Sequence, residues 1–536
     1  MNVKKLRRAS GLLIFLVAAV TSSADSPTSP KKIPGIDNAQ IPKWTSDDLN
    51  FFLHGSMSTE VVPEPVLRAF IKTYPDLFPR ADLAHLGLIP DPEFGWPIGF
   101  SRKEVKHLGN LPSVGLNCAS CHVAEIRSPG AAPVRVLGGT SHFDAEAYFG
   151  AVIVATFRTT DPANMKRFAG AYLASLDPDV DEDTRKLLDE TWEEQKEKID
   201  AAMKADPFGS KGVEPGALHR IEPETVLLDN ESLEHDKDLA AFASSILKLF
   251  HNMRAALHIP DQPPEKAPPS SGPGRNDAFG LLSAGLFNSP QPFAPVKYGL
   301  VWNVSGRQWV HWDGNTQSPL GRNLLASLGL GAPLQGKHGE LDFAAIKRQT
   351  DLSEMIKAPR YPYQVDAAAA KRGAAHYTAQ CVSCHGGKES DKRLYSIAEV
   401  GTDPIRAEAF TKEQAARFNK FLAELEATGY QASKDEGLRS TGKYWAASMD
   451  GVWARAPYLH NGSVRTMWEL LTPPAQRAKT FHRGSQDYDA TQMGYADAGA
   501  YLFETSARGN ANTGHDYGTA LTPGEKRDLL EYLKTL

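Results

Sequence analysis

The sequence predicts a mainly α fold in which helices alternate with long loops. Strand signals are sparse along the chain, whereas two segments carry clear helical signatures. Residues 179–205 interleave acidic and basic side chains closely, as on the solvated face of a helix. Residues 522–536 open with a capping box that has proline at the first helical position, and leucine then recurs with helical spacing.

The length and composition are those of a multidomain globular protein. The chain has 536 residues, of which 41 % are apolar and 23 % are charged. A chain of this length exceeds what one hydrophobic core supports, so two or three domains are expected. The net charge of −5 gives no indication of a nucleic-acid partner.

The first 24 residues have the pattern of a signal peptide. Basic residues cluster at positions 4–8, an apolar stretch covers 11–20, and small residues precede a cleavage point after Ala24. The apolar stretch is too short for a comfortable bilayer span, so we expect cleavage, with an uncleaved anchor as the alternative. Residues 25–45 are predicted to be a disordered N-terminal segment. The mature protein is therefore expected to be periplasmic or secreted, without a stable membrane span.

All four cysteines belong to two copies of the motif C-x-x-C-H. Two thiols at this spacing can form thioethers to the vinyl groups of a haem, and the adjacent histidine supplies the proximal nitrogen to the iron. A redox dithiol or half of a zinc site does not need that histidine, but a four-cysteine zinc site and a disulfide pair are the alternatives. Two covalently bound haem c groups are thus predicted, at Cys118, Cys121 and His122 and at Cys381, Cys384 and His385.

One haem domain is predicted for each motif, with additional helices and long loops, and the helices around the second motif are those of a small cytochrome c fold. The N-terminal haem domain, 46–350, carries pocket-forming insertions, with helices expected near 144–157 and roughly over 235–257. In the C-terminal domain, 351–536, a helix over 367–379 leads directly into the second motif. The last helix of the chain should cross that helix, as in a small cytochrome c.

Several segments resemble the dihaem cytochrome c peroxidase superfamily, and most closely its rubber-oxygenase-like branch. The segment Ala456–Ser463 (APYLHNGS) is typical of the whole superfamily, whereas the others are typical of the branch. Those others are Gly95–Phe100, Gly272–Arg275 with Asp277–Phe279, His311–Asn315, and Gly509–Asn510 with Gly514–His515.

The resemblance implies two cytochrome-c-like domains whose haems have different tasks. The second haem is six-coordinate and relays an electron, and peroxide or dioxygen binds at the first. A small cytochrome or cupredoxin reduces the peroxidases, whereas the rubber oxygenases insert oxygen into a polyisoprene double bond without an external reductant. A small redox protein or an apolar organic substrate is therefore the expected partner, and calcium is a further candidate cofactor.

The resemblance also supplies candidate axial ligands beyond the proximal histidines. The peroxidases carry a methionine ligand at the position that Pro474 holds here, so the chain departs from their pattern. His515 resembles the second-haem ligand of the rubber-oxygenase branch, and His460 is the alternative. His142, twenty residues after His122, stands where dihaem peroxidases carry a removable distal histidine; otherwise the first iron is open or water-bound.

Four residues are candidates for the pocket at the first haem. Trp302 and Trp312 are aromatic groups expected between and above the haems, although core packing explains either equally well. His311 is a candidate distal acid–base group, because neutral imidazole titrates in the useful range, and a structural histidine is the alternative. Arg275 is a candidate partner for a haem propionate, because arginine pairs bidentately with carboxylates, as it would with any surface acid.

Three functions fit these expectations. The first is an enzyme, a peroxidase or an oxygenase, that activates peroxide or dioxygen at the N-terminal haem. The second is a pure electron carrier with two six-coordinate irons, and the third is a haem protein that oxidatively modifies a protein partner. The enzyme is favoured because a two-haem carrier needs only a fraction of this length, and the missing methionine at position 474 favours the oxygenase branch.

Overall fold

The computed structural model is mainly helical with small antiparallel sheets, in agreement with the predicted fold class. The predicted signal peptide lies outside the described residues. The structure describes residues 35–176, 182–210, 239–257, 259, 270–289, 292–305, 307, 309–317, 319–333, 341–386, 393–426 and 437–536.

The helices are distributed along the whole described chain. None of the described helices is long and apolar enough to cross a membrane. The α-helices are α1 Ser46–His54, α2 Glu64–Thr73, α3 Cys118–His122, α4 Ala145–Arg158, α5 Pro162–Leu176, α6 Glu182–Ala205, α7 Leu239–Ala256, α8 Ala278–Phe287, α9 Pro319–Gly329, α10 Phe343–Met355, α11 Ala367–Gln380, α12 Val382–His385, α13 Ile397–Val400, α14 Ile405–Ala409, α15 Lys412–Glu426, α16 Met467–Leu470 and α17 Pro523–Leu533.

The strands are short and form one three-stranded sheet, in the order β1-β3-β2, and several two-stranded pairs. The pairs are β4 with β5, β6 with β7, β8 with β9, β10 with β11, β12 with β15 and β13 with β14. The strands are β1 Val62–Pro63, β2 Phe100–Val105, β3 Leu111–Leu116, β4 Val123–Ile126, β5 Val134–Leu137, β6 Arg275–Asn276, β7 Val296–Lys297, β8 Trp309–Val310, β9 Thr316–Gln317, β10 Leu394–Ser396, β11 Lys443–Trp445, β12 Thr480–Arg483, β13 Tyr488–Asp489, β14 Gly494–Tyr495 and β15 Tyr501–Glu504.

The predicted crossing of α11 and α17 is present, and a glycine makes it possible. A Cβ atom on Gly373 would lie 2.0 Å from the carbonyl oxygen of Asp528, so the two helix backbones touch at this point. Arg372 pairs with the Asp528 carboxylate at 2.6 Å, and the rings of Tyr377 and Tyr532 pack at 5.2 Å. This crossing fixes the helix that leads into the second motif.

One hydrophobic core contains residues from both predicted domains. Leu53 and Leu137 from the N-terminal part pack in the same cluster as Trp453 and Leu529 from the C-terminal part. The helix α10 also runs across the predicted boundary at 350/351. The division into two domains therefore stays a prediction.

Residues 35–45 are packed in the structure, so the predicted disordered segment 25–45 is too long at its C-terminal end; its remaining residues, 25–34, lie outside the described residues. Ile41 and Trp44 are buried, at 1 % and 3 % exposure. The Gln40 amide donates to the carbonyls of Leu137 and Lys357, both at 3.0 Å. The proline- and serine-rich composition ends before these apolar side chains, so the composition of residues 25–34 does not extend to the packed residues 35–45.

The charged segment predicted as a solvated helix face forms α6, but one of its faces is buried. Leu188, Trp192 and Ile199 are at most 6 % exposed, because α6 packs against α7. The interleaved charges occupy the opposite face, where Lys166 pairs with Glu193 at 2.9 Å. The charged residues therefore correctly predicted an exposed face of α6, but the buried apolar face was not predicted.

Candidate functional site

The first C-x-x-C-H motif forms the short helix α3 between two strands. The Asn117 side chain accepts a hydrogen bond from the backbone N–H of Ala119 and caps this helix. A Cβ atom on Gly99 would lie 2.2 Å from the backbone nitrogen of Ser120. The segment Gly95–Phe100 therefore packs directly on the motif, which accounts for a glycine at position 99.

Burial keeps the thiols of the first motif protonated. It raises the pKa of Cys118 to about 11 and that of Cys121 to about 12. The Cys118 thiol lies 3.5 Å from the sulfur of Met57, in an apolar environment. Free thiols of this kind are poor nucleophiles and poor metal ligands, so the pair is poorly suited to thiol–disulfide exchange or to binding zinc.

The second motif follows α11 without a break and orients its histidine through a backbone carbonyl. The Nδ1 atom of His385 lies 2.8 Å from the carbonyl oxygen of Ala447, to which it can donate a hydrogen bond. A metal-bound histidine usually donates its other ring N–H in this way. The contact thus leaves Nε2 of His385 available as a ligand.

His515 faces His385 across a gap of the size that an iron atom requires. The two ring centres are 6.4 Å apart. With about 2.0 Å from a metal to an imidazole nitrogen and about 1.1 Å from that nitrogen to its ring centre, a metal between two rings would separate the centres by about 6.2 Å. Burial, together with His385 and Arg477, lowers the pKa of His515 to about 4, so its imidazole is neutral at pH 7.

The first motif has a different environment. The ring of His122 packs edge-on against Tyr298 at 6.4 Å, and burial together with the positive charge of Arg322 lowers its pKa to about 3. The structure brings His311 and Arg322 close enough to His122 for their charges to interact. The His311 ring also packs at 5.1 Å from that of Phe279. An aromatic group, an imidazole and a guanidinium therefore lie near this motif.

Two of the predicted axial ligands make other contacts. The His142 ring packs edge-on against Tyr495 at 4.4 Å, and burial lowers its pKa to about 3. The His460 ring stacks on Tyr444 at 4.2 Å, among Arg275 and other cations, and burial likewise lowers its pKa to about 3. The ring contacts described for these two histidines do not involve the histidine of either C-x-x-C-H motif. The role of each as an iron ligand therefore stays a prediction.

Three buried cations near the first motif have no carboxylate hydrogen-bond partner among the described residues. Arg275, Lys297 and Arg483 donate to backbone carbonyls and, in one case, to an asparagine. Burial lowers the pKa of each group, to about 10 for Arg275 and well below the ordinary value for the other two. Lys297 directly precedes Tyr298, whose ring contacts His122.

Buried cations are costly unless an anion compensates them. A haem carries two propionates, which form strong charge-assisted hydrogen bonds with guanidinium and ammonium groups. The donor set near the first motif therefore fits a haem c, and the predicted role of Arg275 as a propionate partner is consistent with it. That role stays a prediction. Among the described residues, no group of three or more His, Cys, Asp or Glu could hold a metal ion, and calcium also stays a prediction.

Trp302 lies between the segments that flank the two motifs. Its side chain is 1 % exposed, and its indole N–H donates to the carbonyl of Asp450 at 3.0 Å. Asp450 closely follows the carbonyl that contacts His385. On the other side, a Cβ atom on Gly138 would lie 3.2 Å from the backbone of Trp302, and the Gly138 N–H donates to the carbonyl of His122.

Trp312 is half-buried beside the same region. Its indole N–H donates to the carbonyl of Lys297 at 3.0 Å, and the Lys297 ammonium lies 5.4 Å from the centre of the Trp312 ring. The indole N–H of Trp445 donates to the carbonyl of His311, which has a left-handed backbone with φ of 76°. Trp445, at the end of β11, therefore holds the backbone of His311 in place.

Sequence reasoning missed several polar residues of the site. Arg322 and the buried ion pair of Arg406 with Asp313, at 3.1 Å, all lie near His311. Lys297 and Arg483 were missed as well. A buried arginine has no sequence signature of its own, and only the proximity of Arg322 to the His311–Asn315 segment offered a signal.

The chain is similar to known proteins over most of its length. A family model described as RoxA-like, cytochrome c-like, matches residues 442–482. The uncharacterized protein y4iJ of Sinorhizobium fredii (strain NBRC 101917 / NGR234) is 26 % identical and covers 85 % of this chain and 84 % of its own. The uncharacterized protein y4iM of the same organism is 30 % identical and covers 51 % of this chain and 72 % of its own. The cytochrome-c peroxidase IdrP2 of Pseudomonas sp. (strain SCT) is 33 % identical over 17 % of this chain and 27 % of its own.

Proposed function

The chain is related to RoxA-like cytochrome c proteins and to the dihaem cytochrome c peroxidases, and from this premise we propose that it is an exported dihaem oxidoreductase. The relatives indicate a haem c protein with a peroxidase-like role. In the proposal, peroxide or dioxygen is activated at the haem of the first motif, and the haem of the second motif relays electrons. Export rests on the N-terminal pattern, which predicts a mature N-terminus at Asp25.

The observation that carries the proposal is the asymmetry between the two motifs. The 6.4 Å separation of the His385 and His515 rings supports an iron held by two imidazoles. An iron with two strong ligands cannot bind oxygen or peroxide, which suits a relay. The described ring contact of His122 is with Tyr298 instead, and Phe279 and His311 lie near it. This arrangement supports an exchangeable position at the first haem.

A haem bound at the first motif supplies an iron that accepts peroxide or dioxygen and exchanges electrons. Burial, with Arg406 and Arg322, lowers the pKa of His311 well below its ordinary value, so His311 is neutral and one of its ring nitrogens can accept a hydrogen bond from peroxide. Arg322 supplies positive charge near His311, which would stabilise negative charge that develops on an oxygen atom there, whereas the charge of Arg406 is compensated by Asp313. Phe279 and Phe410, whose rings are 4.7 Å apart, form an apolar wall that excludes water.

The path for electrons between the haems is proposed to include Trp302. Its buried ring joins the loop beside His122 to the loop beside His385. A small redox protein is the expected electron donor if the substrate is peroxide, and an apolar organic substrate is expected if it is dioxygen. The apolar wall formed by Phe279 and Phe410 is compatible with peroxide as the substrate and with an apolar organic substrate.

Electron paramagnetic resonance and optical spectra of the purified protein test the proposal. We expect one low-spin iron with two imidazole ligands and one iron that binds cyanide or imidazole. His515→Ala should convert the low-spin iron to high-spin and leave the other haem unchanged. His460→Ala is the matched control, and it should leave both irons as they are.

Two outcomes would contradict the proposal. If neither haem binds an added ligand, whether oxidised or half-reduced, the protein is an electron carrier. If His460→Ala rather than His515→Ala produces the high-spin iron, the ligand of the second haem is wrong. Trp312→Ala should alter ligand binding at the first haem alone, because Trp312 packs beside Lys297 and His311.

A further inference from the structure

We propose that Arg477 is the positioning residue that holds His515 at the iron of the second haem. The inference rests on the proposed role of His515 and adds the element that fixes it. Arg477 is 3 % exposed, and it follows the short 3₁₀ turn Pro474–Gln476. Its side chain reaches from that turn to the loop that carries His515.

The guanidinium of Arg477 donates only to backbone carbonyls in the described structure. Two bonds anchor it to its own segment, from Nε to Thr472 at 3.0 Å and from Nη2 to Leu470 at 3.0 Å. The other three reach the ligand loop. They run from Nη1 to Asn512 at 2.6 Å and Gly514 at 2.8 Å, and from Nη2 to His515 at 3.2 Å.

The loop needs such support because its backbone is in an uncommon conformation. His515 has φ of 51°, in the left-handed region that side chains other than glycine rarely adopt. Gly514 has φ of 67°, and a Cβ atom there would lie 2.2 Å from the backbone of Gly401. The His515 N–H donates to the carbonyl of Val400 at 2.8 Å. The conformation that points the imidazole at His385 is thus held by contacts on both sides.

Lysine cannot replace arginine in this role. The planar guanidinium presents five donors in a fixed fork, whereas an ammonium is a single point with three donors. Arg477→Lys keeps the positive charge but cannot reach carbonyls on both the anchoring segment and the loop. We therefore expect the charge-conserving substitution to release His515, which a purely electrostatic role would not predict.

The expected effect is a larger fraction of the second haem without its sixth ligand. Losing two or three hydrogen bonds of ordinary strength raises the ratio of ligand-free to ligand-bound iron by at least about tenfold. The release should appear as high-spin ferric signal and as imidazole binding at the second haem. Hydrogen exchange of the peptide that covers residues 510–517 should quicken, and this readout does not depend on the haem.

The experiment compares Arg477→Lys and Arg477→Gln with His515→Ala in the full-length protein carrying its haems. Arg254→Lys is the matched control, because Arg254 is also a buried arginine whose guanidinium donates to a backbone carbonyl, that of Phe208. It should lower stability without changing the second haem. Gly514→Ala displaces the same loop with Arg477 intact, so it should reproduce the high-spin signal if the Arg477 variants do not accumulate.

The outcomes separate this inference from the proposed function. If His515→Ala produces a high-spin second haem while both Arg477 variants keep the wild-type spectrum, imidazole affinity and exchange rate, the positioning role is overturned and the ligand assignment stands. If His515→Ala leaves the second haem low-spin, the ligand assignment and the positioning role are both overturned.

Discussion

The buried ion pair between Arg406 and Asp313 is predicted to control both the stability and the chemistry of the first site. Each side chain is 2 % exposed, and the closest nitrogen and oxygen are 3.1 Å apart. The guanidinium carbon of Arg406 also lies 4.8 Å from the centre of the Phe279 ring. Removing one partner of such a pair leaves an uncompensated charge in the interior, which costs about 3–5 kcal/mol. Arg406→Met should therefore lower the free energy of unfolding by about that amount at pH 8.

The same substitution should make stability depend on pH in a defined direction. Burial raises the pKa of Asp313 above its ordinary value, and Arg406 opposes this increase. Without Arg406, the pKa of Asp313 in the folded protein rises further above its unfolded value. An acid with a raised folded pKa favours folding when it is protonated, and this contribution is lost as the pH rises through that pKa. Arg406→Met should thus be less destabilising at pH 5 than at pH 8.

A double-mutant cycle measures the pair. Denaturant unfolding is followed for Arg406→Met, for Asp313→Leu and for the double variant, with cyanide binding to each haem as the functional readout. The double variant should be less destabilised than the sum of the single variants, because no charge is then left unpaired. Cyanide affinity should change at the first haem alone, because His311 lies beside the pair. A loss below about 1 kcal/mol in Arg406→Met, with additive single effects, would refute the reasoning.

Three further predictions address attachment, packing and electron transfer. Cys381→Ser with Cys384→Ser should leave one haem that survives acid–acetone extraction, and loss of both haems would contradict independent attachment. Gly373→Ala should cost at least about 1–3 kcal/mol through overpacking of the helix crossing, whereas Gly524→Ala, with open space around it, should be nearly neutral in thermal unfolding. Trp302→Phe should slow electron transfer between the haems in stopped-flow reduction without changing either haem spectrum, and an unchanged rate would exclude this tryptophan from the path.

The elements predicted well are those whose signals are local. The capping box before α17 and the helix α11 leading into the second motif follow from neighbouring residues, and both agree with the structure to within one residue. The crossing of the two helices was predicted from the order of elements typical of a small cytochrome c. The contact at Gly373 that permits it was not predicted, because its partner is the distant carbonyl of Asp528.

The predictions of axial iron ligands could not be decided from residues that are close together in the sequence. His515 and His142 were both chosen through resemblance to known ligands, yet only His515 faces a motif histidine at a distance that fits an iron. What distinguishes them is the packing of their loops. Arg477 and Gly401 hold the loop of His515 in place, whereas Tyr495 packs against His142. Contacts of this kind join residues far apart in the sequence, so spacing along the chain cannot reveal them.

One loop connects two of the segments that resemble the rubber-oxygenase branch. Residues 509–515 are held at their start by Arg275, which donates to Asn510 at 2.8 Å, and near their end by Arg477. Arg275 belongs to the cation cluster beside the first motif, and His515 faces the second. A substitution in this loop would therefore disturb both sites at once. The loop thus connects the glycine-rich segment ending at Arg275 with the segment ending at His515, although the two are far apart in the sequence.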